Sequence, residues 1–318
     1  MKKIILCLLT LTMLFFVGCK SEPAEWLTDF DQATLAAEES GKDLLVLFTA
    51  IGYDGYSEEF ISTILTQEKF LVEAGKNFVP VQINLIMDES NLSEEEIIKN
   101  QENVMIAYSL GLQGFPTVIA ASTDVIPYGY FSYDIDTQTL AGCIDKVKDL
   151  VATGEKMKKL NQKLEKAAGV EKAKIIDDLY NLIPEIYSYQ FNELIREFPS
   201  LDPENKTGKL GFYKLLCTFE EANTVFNESG DVQAAAQLFI DLAESGLLNQ
   251  EEYQHAYYMA AYTESYTGQI VTANTLPYLQ KAYDAAPNSD IADSILKTIN
   301  SIKTMNEDSG LEATGEAY

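Results

Sequence analysis

Cysteine, histidine, tryptophan and basic side chains are all scarce in this 318-residue chain. It has 4 cysteines, 1 histidine, 1 tryptophan, and 23 lysines and arginines against 49 acidic residues, a formal net charge of −26. His255 is the lone histidine, which removes the usual general base of a nucleophile–base–acid triad and any histidine-rich metal site. The shortage of positive charge excludes nucleic acid as a partner, because phosphate backbones are held by lysine and arginine. No glycine-rich phosphate loop follows a strand-like run. Of the cysteines, Cys7 and Cys19 lie at the N-terminus, leaving only Cys143 and Cys217 as thiols within the body of the chain.

There is one long apolar run, Ile4 to Val17 behind Lys2 and Lys3, and its length and flanks read as a signal segment rather than a spanning helix. It ends Phe16-Val17-Gly18-Cys19, which resembles the lipobox of bacterial lipoproteins. That resemblance implies cleavage after residue 18 and lipid on Cys19. It also implies a chain tethered by residues 19–25 to an inner or outer membrane of the cell envelope, facing the periplasm or exterior.

From residue 26 to 152 apolar patterning alternates between helical and strand periods. The spacing predicts a helix over Asp29–Ser40 stopped by Gly41, and a fully buried strand over Asp43–Thr49. A long helix over Gly55–Gly75 and a second strand over Phe78–Leu85 follow. A third helix is expected over Leu92–Leu110 behind Ser93, with acidic residues in its first turn. Thr117–Ala121 and Val125–Tyr130 read as a hairpin turning at Ser122–Asp124, and Thr137–Leu150 as a closing helix.

Within this frame, Phe48-Thr49-Ala50-Ile51-Gly52-Tyr53-Asp54-Gly55-Tyr56-Ser57 resembles the active-site loop of thioredoxin-like proteins. Tyr53 stands where that family has tryptophan, and Asp54 and Ser57 stand where it has its two cysteines. Gly114-Phe115-Pro116-Thr117 resembles the family's loop before the third strand, in which the proline is cis. Ser40-Gly41-Lys42 and Leu92–Glu96 match a bacterial subfamily. The resemblance covers residues 26–152. It implies an α/β thioredoxin fold, a central mixed sheet flanked by helices, and a shallow peptide groove formed by Tyr53, Asp54, Gly55, Tyr56, Ser57, Phe115, Pro116 and Thr117. Disulfide exchange needs an attacking thiolate and a resolving thiol, which a carboxylate and a hydroxyl do not replace. At a helix start Asp54 and Ser57 are favourable caps, so their role is helix stability, retained binding, or both.

Residues 153–305 carry no strand pattern and read as an all-α domain. Phe226, Gly230, Ala235 and Phe239, and again Tyr266, Leu279, Ala282 and Pro287, resemble parts of tetratricopeptide repeats, with Ile270–Thr275 as an insertion. Tyr253, Tyr257, Tyr258, Tyr262 and Tyr266 step at helical spacing and read mainly as core. Residues 306–318 read as an acidic disordered tail. Asp88–Asn91 with Glu94–Glu96 lacks the spacing of a calcium loop. No cofactor and no metal are expected. The leading expectation is a non-catalytic, lipid-anchored adaptor for extracytoplasmic polypeptides or envelope proteins. The alternative is a thiol-disulfide oxidoreductase or isomerase using Cys143, Cys217 or a partner's thiols. A third reading is a structural envelope component.

Overall fold

The computed structural model describes residues 23–53, 55–265 and 274–308. The signal segment, Cys19, Asp54, Tyr266, most of the Ile270–Thr275 insertion and residues 309–318 lie outside the described residues. The chain divides into two compact units, one up to Gly154 and one from Glu155.

Helix α1 (Phe30–Ser40) starts where Asp29 accepts from the Gln32 N–H and stops at Gly41, whose φ of +66° suits glycine. Strand β1 (Asp43–Thr49) follows, buried along its whole length, as its unbroken apolar run predicts. The expected helix over Gly55–Gly75 is three pieces instead: α2 (Gly55–Phe60), a π-helical turn (Ile61–Leu65) and α3 (Glu68–Ala74). The apolar stripe continues through all three, but the hydroxyls of Thr63 and Thr66 donate to the carbonyls of Glu59 and Ile61. The Thr66 N–H then reaches back five residues to Ile61, and Gln67 turns extended before α3 begins. Trp26 caps this break, donating its indole N–H to the Leu65 carbonyl at 3.0 Å and stacking on Phe70.

Strand β2 (Phe78–Asn84) is followed by α4 (Glu94–Ser109), which opens with a full capping box between Ser93 and Glu96. Strands β3 (Thr117–Ala121) and β4 (Pro127–Ser132) form the hairpin. Strand β4 begins two residues later than the pattern predicted. Val125 adopts φ +61° in the turn, a bulge falls between Ala120 and Ala121, and Ala121 pairs with Pro127. The sheet runs β2-β1-β3-β4, with β1 parallel to β2 and antiparallel to β3, and β3 antiparallel to β4. It is a central mixed sheet with flanking helices, as the sequence implied.

Helix α5 (Leu140–Leu164) starts later and runs further than expected. Thr137 is drawn into the preceding turn, where Asp134 accepts from the Asp136 and Thr137 N–H groups and the Thr137 hydroxyl donates to Ser132. Thr139 takes the capping role instead, accepting from the Gly142 N–H at 3.1 Å.

The second unit's further described elements are helical: α6 (Gly169–Tyr180), a 3-10 segment (Glu185–Phe191), α7 (Asn192–Leu201), α8 (Leu210–Ser229), α9 (Val232–Glu244), α10 (Gln250–Ser265), α11 (Thr275–Ala285) and α12 (Ala292–Asp308). Residues 306–308, read as tail, are the end of α12. Consecutive helices from α7 to α12 pack on one another. Gly230 turns α8 into α9 with φ +67°, and Ala235, Phe239, Ala222 and Ala260 form one buried cluster there. Leu279 and Ala282 lie in a second cluster with Tyr257, Ile295 and Ile299. No helix among the described residues is long and apolar enough to cross a membrane.

Candidate functional site

The register of β1 against β3 assembles the site. Phe48 pairs with Thr117, so the chain leaving β1 emerges beside Phe115 and Pro116, whose peptide bond is cis. Gly52, with φ +85°, makes the bend after β1, where the Tyr53 N–H bonds to the Ala50 carbonyl. That turn presents Tyr53 at 71% exposure, and the first turn of α2 presents Tyr56 at 65%. Tyr56 leans on Tyr133, with ring centroids 6.4 Å apart, and Tyr133 sits 4.9 Å from the buried Phe60. Gly55 opens α2 with open space around it. Phe115 is half-buried, while Pro116 and Thr117 are buried. The Thr117 hydroxyl donates to Gly114 and meets the Ser132 hydroxyl at 2.9 Å.

Ser57 lies inside α2, not at its cap. It is fully buried, and its hydroxyl accepts from the Ala50 N–H at 3.3 Å, tying the helix to the strand exit. It therefore presents no exposed nucleophile in the loop.

Of three residues that sequence reasoning passed over, Asn84 and Tyr133 hold this surface and Asn100 fixes the neighbouring acidic loop. Asn84 ends β2 and accepts from the Ile51 N–H at 2.7 Å and from the Thr49 hydroxyl, which fixes the loop. Asn100, buried on α4, bonds both the N–H and the carbonyl of Ile86 and reaches Glu89. Tyr133 supports Tyr56. The available signal was a polar residue closing an apolar strand at Asn84 and a polar residue on the inner face of α4 at Asn100.

The two thiols are poor nucleophiles. Cys143 is buried in α5 with its Sγ directed to the Thr137 carbonyl, and burial, then the Asp134 charge, pushes its pKa up to about 12. Cys217 on α8 is half-buried, and burial followed by Glu220 raises it as well. Among the described residues no group of three histidine, cysteine or acidic side chains is placed to hold a metal ion. The acidic loop is occupied internally: Asp88 accepts from the Ser90 N–H and Glu96 closes the capping box.

Fold and site together define an α/β unit with an exposed aromatic loop beside a cis-proline edge, joined to a helical unit. Comparison with known proteins gives three similarities. A family described as an uncharacterised protein C-terminal domain matches residues 210–308. A protein of Treponema pallidum (strain Nichols), itself described only as uncharacterized, is 22% identical over 290 residues, spanning 90% of this chain and 92% of its own length. A solved structure described as a DsbH oxidoreductase aligns with 18% identity and a TM-score of 0.35, over 41% of this chain and 85% of its own.

Proposed function

We propose that this chain is a thioredoxin-like lipoprotein of the bacterial cell envelope that binds extracytoplasmic polypeptides and carries out no thiol chemistry. The observation that supports it best is the loop itself. Tyr53 and Tyr56 are exposed beside the cis Phe115–Pro116 edge, while Ser57 is buried and held by Ala50. An edge of this kind takes an extended peptide through main-chain hydrogen bonds, and exposed tyrosines supply apolar area with a polar tip at little entropic cost. The lipobox-like Phe16-Val17-Gly18-Cys19 supports the anchor, with Cys19 carrying the lipid.

Three measurements test the reading. The mature chain is titrated into a fluorescent, permanently unfolded, carboxymethylated polypeptide, beside the Tyr53→Ala/Tyr56→Ala variant. Expected is saturable binding that weakens about tenfold in the variant, the loss of roughly 1.4 kcal/mol. Insulin reduction with a chemical reductant should stay at the background rate; turnover by the natural chain would reinstate the oxidoreductase reading. Expressed in a bacterium, the full chain should fractionate with membranes, and Cys19→Ser should shift it to the soluble fraction. A membrane pool unchanged by that substitution would remove the lipid anchor.

A further inference from the structure

A second surface, wholly within the helical unit, has the make-up of a recognition trough. One cleft of about 560 Å³ lies between the 3-10 segment, α7 and α8, and its walls include Tyr189, Asn192, Arg196, Phe219, Glu220 and Asn223. Another of about 300 Å³ lies over α8, α9 and α10, bounded by Phe219, Asn223, Phe226, Phe239, Met259 and Tyr262. Phe219 and Asn223, one turn apart on α8, line both, so the two clefts adjoin on either side of this α8 ridge, as two compartments of one trough. Its rim is apolar in an unusual way. Tyr189, Phe219 and Tyr262 are each about half exposed, at 51%, 46% and 47%, and they gather on this face rather than being scattered.

The first compartment's wall carries two carboxylates, Glu185 and Glu220, against one guanidinium, Arg196. Among the described residues, none of those that line the second compartment is charged. In the wall itself, Arg196 is already held between Glu193 at 2.7 Å and Glu220 at 2.9 Å, and Glu185 adds a further carboxylate at the rim. The field at this face therefore favours a cation. Asn223, at the divide, carries both a donor and an acceptor, the complement of one peptide group. Aromatic walls on either side suit apolar side chains.

We infer that this trough binds an extended polypeptide segment carrying two apolar or aromatic side chains, one in each compartment, and at least one lysine or arginine facing Glu185. Helices pack about 8–10 Å apart, so crossing from α7 over α8 to α10 spans on the order of 18 Å, roughly six extended residues. This inference deepens the polypeptide-binding reading by giving the partner a charge and a second contact surface distinct from the Tyr53–Pro116 edge.

The test pans a display library of random octapeptides against the full mature chain and measures recovered peptides by fluorescence anisotropy. Expected are sequences with two apolar residues two or three positions apart and a nearby lysine or arginine. Their affinity should fall at least tenfold in Phe219→Ser and in Glu185→Lys, and weaken as salt is raised. Both altered side chains are exposed, so the variants should melt with the natural chain. Tyr53→Ala/Tyr56→Ala should leave these peptides within about twofold, as the trough alone holds them. Peptides that lose affinity only in the Tyr53→Ala/Tyr56→Ala variant would overturn the trough and leave the first-unit site standing. Recovery of acidic peptides, or of none, would overturn the trough as well.

Discussion

Taken from pH 9 to pH 11, the protein loses more stability than its Tyr128→Phe/Tyr213→Phe variant, by about 1.4 kcal/mol over those two pH units for each tyrosine removed. Tyr128 is buried on β4 and donates its hydroxyl to Asp43 at 2.9 Å. Tyr213 is buried on α8, donates to Asp177 at 3.1 Å, and stacks on Phe198 with centroids 3.7 Å apart. Burial comes first and the neighbouring carboxylate second in holding each phenol protonated far above its ordinary value. An unfolded tyrosine ionises near pH 10, while the folded one keeps its proton. Above pH 10 the unfolded chain therefore binds fewer protons than the folded one, and stability falls as pH rises; below pH 10 this contribution is fully present. Denaturant midpoints at pH 9, 10 and 11 read the slope. Because one tyrosine lies in each unit, the single variants separate the two transitions. Parallel slopes for the natural chain and the double variant would remove these tyrosines as the cause.

The second large effect is expected at Gly142. Helix propensity alone favours alanine over glycine by about 1 kcal/mol, and Gly142 lies in the first turn of α5, so Gly142→Ala would stabilise if only propensity counted. Packing decides otherwise. A Cβ there would stand 1.8 Å from the Asp136 carbonyl oxygen, and that oxygen is backbone rather than a mobile tip. The turn from Asp134 to Thr139 has little room to retreat, because Thr137 bonds Ser132 on one side and accepts from the Cys143 thiol on the other. Forced overpacking of this kind costs about 1–3 kcal/mol or more, so Gly142→Ala lowers the first unit's stability by that amount. Gly55→Ala is the control: nothing lies within 4 Å of its position, and it should be neutral or slightly stabilising. A Gly142→Ala protein that melts with the natural chain would mean that the turn relaxes freely.

What could be read from the chain, and what could not, divides by the range of the interaction. The buried strand at Asp43–Thr49, the Gly41 stop and the Ser93 start are local, each set by residues within a turn of one another. The break after Phe60 is local too, yet its apolar stripe is continuous, and only the hydroxyls of Thr63 and Thr66 mark it. Thr137 and Thr139 are equally good caps by type; the Asp134 turn chooses between them. The supports of the aromatic loop were hidden for a different reason. Asn84 reaches a loop 33 residues away at Ile51, a pairing fixed only once β1 and β2 lie side by side. In the helical unit, the tyrosine steps predicted core correctly for Tyr257, but Tyr262 is about half exposed. One period of 3.6 residues places side chains around a helix without saying which neighbours cover them.

The strand order also governs how the chain comes off the ribosome. β1 is the inner strand on which both β2 and β3 lie, and its seven residues are buried throughout. β2 follows closely, but β3 is not complete until Ala121, 72 residues after Thr49. At about 5–20 residues per second, this fully buried strand waits roughly 4–14 seconds with one flank bare. During that wait the open flank of β1 can pair with another strand edge, so slow synthesis favours misassembly of this unit.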